Sequence, residues 1–222
     1  MNTFDEKWEE VHRNKKWGMY PAEETIRFIA RNYYNSDRKN IKILDMGCGA
    51  GANTWYISRE GFDTYAFDGS LSAVKKTISY LNTENLKAEI IQCDAADTQY
   101  EDEFFNSIID GAVIYANTLK GIKSILKEMN RILKRGGKIF STGLFNQKTT
   151  GYGTGECLEK NTYRNLACGP LKNIGTFHFF SEEEIKFLWE EAGFKNIKID
   201  SITRTDNNKE STISFYIVEA EK

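Results

Sequence analysis

Three glycines at alternate positions follow a short apolar segment and a single carboxylate. The segment spans residues 41–44 and is followed by Asp45, Gly47, Cys48, Gly49 and Gly51. Because glycine has no Cβ, the backbone can turn sharply there and a ligand can approach the main chain closely. The carboxylate would repel a pyrophosphate, but it can organise the loop and attract a cationic group. The pattern therefore predicts a binding loop for a zwitterionic or cationic ligand.

The loop resembles the first motif of the class I S-adenosylmethionine-dependent methyltransferases, in which an acidic residue precedes G-x-G-x-G. Residues 45–51 follow this pattern, whereas the dinucleotide-binding fingerprint is spaced G-x-G-x-x-G. The resemblance implies that S-adenosyl-L-methionine binds here and leaves as S-adenosyl-L-homocysteine. A glycine triplet by itself is also compatible with an ordinary strand-to-helix turn.

Acidic residues also end the next predicted strands. Asp68 ends the second strand, 21 positions after Gly47. Since ligands of open α/β sheets lie beyond the carboxyl ends of the strands, the Asp68 carboxylate can accept both hydroxyl hydrogens of a ribose. It can alternatively cap the following helix. We place the next residues, Gly69 and Ser70, in the same cofactor-binding loop, although Ser70 can also cap that helix.

The resemblance implies roles for three further residues. Asp94, at the end of the third strand, would accept a hydrogen bond from the adenine amino group, and the N–H of Ala95 would face a ring nitrogen. Asp110, at the end of the fourth strand, would meet the methionine ammonium group. The alternative for both acids is a solvated strand end. The family often begins the fourth strand with Phe-Asp, whereas this chain has Phe105-Asn106.

Composition limits the function classes. Lys and Arg number 30 against 32 Asp and Glu, a formal charge of −2, so the chain offers no general attraction to nucleic acid. The sequence contains no run of about 18 apolar residues, the length a membrane span needs, and no apolar leader. We expect a cytoplasmic protein. The four cysteines show no C-x-x-C spacing, and only two histidines accompany them, so no metal site is predicted.

Helical and strand patterns alternate along the 222 residues. Strands are predicted at 41–45, 64–68, 88–93, 107–110, 138–144, 195–204 and 211–221. Helices are predicted at 21–33, 53–59, 71–81 and 182–192, and from residue 119 to an end near Gly136-Gly137. The last two strands must pair antiparallel, because residues 206–209 are too few for a helical crossover. Together with the resemblance, this predicts one domain, residues 1–222: a doubly wound, Rossmann-like α/β sheet of seven strands, mostly parallel with the last antiparallel, and helices on both faces.

Two further segments are predicted to cover the site. Residues 1–36 form an N-terminal cap segment, in which Trp17 and Tyr20 either close over the cofactor or fasten the first helix to the core. Residues 145–180 are longer than an ordinary connection and are predicted to cover the substrate. The candidates for substrate binding there are Tyr152, Glu156, Arg164 and His178.

Methyl transfer needs no nucleophile on the protein, but an oxygen or nitrogen acceptor can require a base. His178, Tyr115 and Tyr152 are the candidates. A histidine in an apolar stretch is alternatively a core residue, and Arg164 alternatively forms a surface ion pair.

The predicted function is transfer of a methyl group to an oxygen or nitrogen atom of a small molecule, by a monomer or homodimer without nucleic-acid or membrane partners. A methyltransferase acting on protein or RNA is the second possibility. A nucleotide-binding oxidoreductase, or a cofactor-binding module without activity, is the third.

Overall fold

The computed structural model describes residues 2–16 and 18–222, so the prediction for Trp17 lies outside the described residues. The strands in chain order are β1 Lys42–Met46, β2 Asp63–Asp68, β3 Glu89–Gln92, β4 Phe105–Gly111, β5 Leu133–Phe145, β6 Glu156–Glu159, β7 Thr162–Arg164, β8 Thr176–His178, β9 Lys195–Asp206 and β10 Ser211–Glu221. The α-helices are α1 Lys7–Asn14, α2 Glu23–Tyr33, α3 Ala52–Arg59, α4 Leu71–Thr83, α5 Leu119–Ile132 and α6 Glu182–Glu191.

Seven strands form the main sheet, in the order β3-β2-β1-β4-β5-β10-β9. Strands β1 to β5 pair parallel with one another, and β10 pairs antiparallel with both β5 and β9. The predicted seven-stranded, mostly parallel sheet with a reversed last strand is confirmed. The order reverses direction at β1, which lies between β2 and β4, and this is where a doubly wound sheet opens a crevice for a ligand.

Helices cover both faces of the sheet, as predicted. Successive residues of a strand point to opposite faces, and the buried pairs of this sheet follow that rule. Ile43 and Ile109 pack in the cluster that contains α2 and α3. Their neighbours Leu44 and Ile108 pack in the cluster that contains α5 and α6. Each central strand is therefore apolar on both sides, because each side carries its own helical layer.

The junction of α5 and β5 differs from the prediction. The helix ends at Ile132 and the strand begins directly at Leu133, whereas the sequence predicted a helix that ends near Gly136-Gly137 and a strand from residue 138. Leu133 pairs with Phe105 of β4, and the ladder shifts register before Ser107. Gly136, with φ of +73°, supplies the left-handed backbone of this irregularity. The glycines therefore bend a strand here and do not end a helix.

Two elements have no counterpart among the predicted ones. Helix α1 precedes the predicted first helix, and its buried residues Val11 and His12 follow Trp8 at helical spacing. Residues 145–180 contain a second sheet, antiparallel, in the order β6-β7-β8. Among residues 2–16 and 18–222, no helix has both the length and the apolar character needed to cross a bilayer.

Candidate active site

A cavity of about 380 Å³ lies at the carboxyl ends of β1, β2, β3 and β4. Its described lining comes from five places in the chain: residues 3–5, 8, 12, 18 and 20; residues 47–50, 52 and 53; residues 67–69; residues 93 and 95; and residues 111–113 and 115–117. Of the predicted cofactor-binding residues, Gly47, Cys48, Gly49, Asp68, Gly69, Ala95 and Tyr20 line it.

The glycine loop forms the floor of the cavity. Gly47 and Gly49 have φ values of +67° and +54°, a left-handed conformation that L side chains rarely adopt. A Cβ built on Gly47 would lie 2.2 Å from Cγ2 of Val113. Gly51 does not line the cavity. With φ of +91° it forms the cap before α3 and packs against Thr77, so its role is to turn the chain.

Asp45 lies beneath the loop and does not reach the cavity. It is 1% exposed, and its carboxylate accepts hydrogen bonds from Oγ1 of Thr54 at 2.5 Å and from Nδ2 of Asn53 at 3.3 Å. Burial raises the pKa of Asp45 to about 6, against the hydrogen bonds from these two residues. The carboxylate therefore organises the first turn of α3. Asn53, predicted only as the start of a helix, is also one of the residues that line the cavity.

Asp68 is the one predicted acid that lines the cavity. Its Oδ2 accepts from the N–H of Gly49 at 2.9 Å, and its Oδ1 accepts from the N–H of Ser70 at 2.8 Å. Burial raises the pKa of Asp68, while these N–H donors and the nearby imidazole of His12 oppose that shift. The carboxylate thus joins the glycine loop to the start of α4 and still borders the cavity. Its predicted contact with a ribose stays a prediction.

Ser70 is fully buried and forms a hydrogen bond with helix α1. Its Oγ accepts from the N–H of Ala73 at 3.1 Å, which caps α4, and donates to Oε2 of Glu9 at 2.5 Å. Glu9 also accepts from the N–H and Oγ of Ser72 at 3.1 Å and 2.6 Å. Hydrogen bonds from Ser70 and then Ser72 lower the pKa of Glu9 to about 2. Ser70 therefore fastens α1 across the N-terminus of α4, and it does not line the cavity.

Asp94 is bonded to the N-terminal segment. Its Oδ2 accepts from the backbone N–H groups of Thr3 at 2.6 Å and Phe4 at 3.1 Å. Its Oδ1 accepts from Oγ1 of Thr3 at 2.6 Å and from the N–H of Ala96 at 2.8 Å. The structure does not place Asp94 among the residues that line the cavity, although the adjacent Ala95 is one of them. The predicted contact of Asp94 with an adenine base stays a prediction.

Asp110 holds the loop that follows β4. It is fully buried, and its Oδ1 accepts from the N–H groups of Val113 at 2.8 Å and Ile114 at 3.4 Å. Burial raises the pKa of Asp110 to about 7, against those backbone hydrogen bonds. Asp110 itself does not line the cavity, whereas Val113 does. The acid therefore shapes the cavity wall, and its predicted contact with an ammonium group stays a prediction.

The three base candidates lie in different surroundings. Tyr115 lines the cavity, and its ring stacks on Phe177 and meets Phe145 edge-on, each at a centroid distance of 5.0 Å. His178 is fully buried and bonded, with Nδ1 2.7 Å from Oγ1 of Thr162 and Nε2 2.9 Å from Oε2 of Glu184. His178 is therefore a core residue that joins β7 and β8 to α6, which corrects its placement as a base.

The substrate-binding candidates of residues 145–180 all lie off the cavity. Tyr152 bonds to Oδ1 of Asn161 at 2.9 Å. Glu156 and Arg164 are exposed and face each other across the β6–β7 pair. These side chains and His178 are absent from the described lining, because the second sheet pairs with itself and packs on the core. It supports the cavity from behind, through the contact of Phe177 with Tyr115.

The cover is formed by the N-terminal segment. Trp8 and His12 of α1 line the cavity, and Cε1 of His12 would lie 3.3 Å from a Cβ built on Gly49. Burial lowers the pKa of His12, although the charge of Asp68 opposes this. Tyr20 lines the rim, 75% exposed, with its ring edge-on to Trp55 at 5.6 Å. The spacing of residues 8, 11 and 12 is the signal by which sequence analysis could have found α1.

The chemistry of the lining fits a cationic nucleoside better than a pyrophosphate. Within the described lining there is no lysine or arginine, while Asp5 and Asp68 are both present. The bare backbone of Gly47 and Gly49 leaves room for a ligand to approach. In the described part of the chain, no three or more His, Cys, Asp or Glu side chains are grouped so that they can hold a metal ion.

Comparison with known proteins agrees with this geometry. A family model described as a methyltransferase domain matches residues 43–137. A demethylmenaquinone methyltransferase from Staphylococcus aureus is 29% identical over 189 residues, covering 75% of this chain and 73% of that protein. A tRNA N(3)-cytidine methyltransferase from Gallus gallus is 24% identical over 193 residues, covering 81% of this chain and 50% of that protein. The chain thus spans half the length of that relative.

Solved structures share the fold. The crystal structure of an S-adenosylmethionine-dependent methyltransferase from Methanosarcina mazei superposes with a TM-score of 0.70 at 21% sequence identity, covering 87% of this chain and 96% of that one. The glycine loop, the sheet topology and the domain matched over residues 43–137 are together those of the class I S-adenosylmethionine-dependent methyltransferases.

Proposed function

We propose that this chain transfers a methyl group from S-adenosylmethionine to an oxygen or nitrogen atom of a small-molecule acceptor. The observation that supports a small acceptor is the cavity wall. It is aromatic, with Phe4, Trp8, Tyr20 and Tyr115, and its described residues include no lysine or arginine. A polyanionic acceptor such as RNA requires cationic side chains that neutralise phosphates. An apolar wall with few polar groups is typical of sites for small molecules.

The cover supports the same proposal. Helix α1 crosses the cavity and is fixed to α4 through the hydrogen bonds of Glu9 with Ser70 and Ser72. Such a cover limits the access of bulk water to the reacting groups, which favours transfer to the acceptor. When bound, the cofactor supplies a methyl group on a positively charged sulfur. The work of the protein is then to align the acceptor with that methyl group.

The sheet order suggests which end of the cavity serves each ligand. Asp68 ends β2 and Ala95 follows β3 on one side of β1, and Tyr115 and Asn117 follow β4 on the other. We assign the nucleoside to the β2 and β3 side, where the Asp68 carboxylate can accept from sugar hydroxyls. The acceptor is then assigned to the β4 side.

Tyr115 is the residue we assign to acceptor positioning. Burial raises its pKa well above the ordinary value of tyrosine, and the charge of Asp110 adds to this effect. The hydroxyl is therefore protonated at neutral pH and suits hydrogen bonding to an acceptor, whereas a role as general base is disfavoured. Stacking on Phe177 keeps the ring in place.

The first test is calorimetric titration of the purified chain with S-adenosylmethionine, S-adenosylhomocysteine and NAD. We expect binding of the two sulfur nucleosides, and binding of NAD alone would overturn the assignment. Release of S-adenosylhomocysteine is then measured across a panel of small hydroxy and amino compounds. Tyr115→Phe should lower turnover while leaving S-adenosylhomocysteine affinity within about twofold. Tyr152→Phe, in the turn before the second sheet and off the cavity, is the matched control and should change neither.

An RNA acceptor is the second candidate, because the relative from Gallus gallus acts on tRNA. The same assay with total tRNA decides between the two acceptors. Methylation of tRNA without turnover of any small compound would replace the small-molecule proposal.

A further inference from the structure

Residues 3–5, which we call the N-terminal strap, lie along the carboxyl ends of β2 and β3. All three strap residues line the cavity. The strap is held by Asp94, whose two carboxylate oxygens together accept two backbone N–H groups and one hydroxyl from Thr3 and Phe4. With the N–H of Ala96 added, both oxygens carry two hydrogen bonds. The geometry of Asp94 is therefore that of an anchor for the strap.

The ring of Phe4 fills the space that a side chain at position 69 would occupy. A Cβ built on Gly69 would lie 2.2 Å from Cδ2, 2.5 Å from Cγ and 2.9 Å from Cε2 of Phe4. Gly69 has no left-handed backbone angle that would itself require glycine. What position 69 requires is the absence of a side chain, because the ring lies there.

The ring lies on the nucleoside side of the cavity, beside Gly69 at the end of β2. Cys93 and Ala95, which follow β3, line the same cavity. The end of β3 is close to Gly69, since Nε2 of Gln92 donates to the carbonyl oxygen of Gly69 at 2.8 Å. An aromatic ring between two strand ends is a suitable surface for a planar base, because aromatic groups stack with little dependence on the identity of the base.

We propose that Phe4 is a cofactor-binding residue whose ring stacks against the base of the nucleoside. Asp94 is then a positioning residue that acts through the strap and not by contact with the base. This inference rests on the proposed function, since it needs a nucleoside on the β2 and β3 side. The strap and helix α1 then form one N-terminal cover. Asp94 fastens this cover at the strap, and Ser70 fastens it at α1.

The test is calorimetric measurement of S-adenosylhomocysteine affinity in full-length variants. Phe4→Ala should weaken binding on the order of tenfold, the usual effect of removing an aromatic ring that stacks on a base. Phe4→Tyr should retain the affinity. Asp94→Ala should weaken binding by a similar factor, because it releases the strap. The double variant Phe4→Ala/Asp94→Ala should be no weaker than Phe4→Ala, because both changes remove the same contact.

A second measurement separates the anchor from a direct contact. The analogue of S-adenosylhomocysteine with a hydrogen atom in place of the adenine amino group lacks the donor that a base-binding carboxylate would need. If Asp94 acts through the strap, Asp94→Ala changes the affinities for the analogue and for S-adenosylhomocysteine by the same factor. Two results would overturn the assignment of Asp94. One is a difference in affinity between S-adenosylhomocysteine and the analogue that the unaltered chain shows and Asp94→Ala does not. The other is a loss of affinity in the double variant equal to the product of the losses in the two single variants.

A larger residue at position 69 tests the role of the Phe4 ring. Gly69→Ala should displace the ring and weaken binding, whereas the same change in the Phe4→Ala background should add little. Tighter or unchanged binding by Phe4→Ala, in a variant whose melting temperature shows that it is folded, would overturn the role of Phe4 alone. Absence of S-adenosylhomocysteine binding by the unaltered chain would instead overturn the proposed function and this inference with it.

Discussion

Replacement of Asp68 by alanine tests the centre of the site. The carboxylate accepts two backbone hydrogen bonds, from Gly49 and Ser70, and it is the one predicted acid that borders the cavity. If it also accepts from two sugar hydroxyls, Asp68→Ala removes charge-assisted contacts, and we expect a loss of about 2–3 kcal/mol in binding. This corresponds to roughly 30- to 150-fold weaker binding of S-adenosylhomocysteine.

The same substitution has a cost in stability that must be measured separately. It leaves the N–H groups of Gly49 and Ser70 without their partner, and an unsatisfied buried donor costs about 1–3 kcal/mol. Release of the buried charge, whose pKa is raised by desolvation, offsets part of this cost. Because the position borders the cavity, water can also reach the two donors. We therefore expect the free energy of unfolding to fall by about 1–3 kcal/mol.

Two assays separate these effects. Calorimetric titration gives the affinity for S-adenosylhomocysteine, and urea denaturation without ligand gives the free energy of unfolding. Asp63→Ala, at the other end of β2 and away from the cavity, is the matched control and should leave the affinity unchanged. If Asp68→Ala is folded and binds S-adenosylhomocysteine as tightly as the unaltered chain, Asp68 serves only to hold the loop, and the assignment of the sugar to this side loses its basis.

Three further substitutions test the surroundings of the cavity. Gly47→Ala should lower both stability and cofactor affinity, because its Cβ would lie 2.2 Å from Val113 on a left-handed backbone; normal melting and titration curves would contradict this. Burial raises the pKa of Asp45 to about 6, so its contribution to stability is full below about pH 4 and is lost as the pH rises through 6. Urea denaturation from pH 4 to 7 should show a smaller decline for Asp45→Asn. His178→Ala should destabilise the fold by about 1–3 kcal/mol, because it removes a partner of the buried Thr162 hydroxyl and leaves an empty space. Turnover per folded molecule should be nearly unchanged, and loss of turnover at full folding would restore a catalytic role.

The main sheet and the glycine loop could be predicted because their signals are local. The spacing of Gly47, Gly49 and Gly51 reports a backbone that turns repeatedly, and all three have positive φ values. The reversed last strand followed from a four-residue connection that no helical crossover can span. Such features depend on chain geometry over a few residues, so the sequence carries them directly.

The partner of Asp94 could not be predicted in this way. Its carboxylate binds Thr3 and Phe4, about 90 positions earlier in the chain, and no local pattern indicates which distant donors meet a strand-end acid. The second sheet shows a related difficulty. The length of residues 145–180 indicated a functional segment, but only tertiary packing shows that His178 enters the core while Tyr115 reaches the cavity.

The acids of the strand ends share one property that connects the motif to the geometry of the site. Asp45, Asp94 and Asp110 each bind N–H or hydroxyl groups of a neighbouring segment and do not line the cavity. Asp68 binds such groups and also lines the cavity. A carboxylate is well suited to this task, because each oxygen accepts two hydrogen bonds and can hold a turn whose N–H groups have no other partner. It follows that an acid at a strand end is evidence for an ordered loop first and for a ligand contact second. The distinction depends on whether the carboxylate retains an open side toward the cavity, which only the folded chain shows.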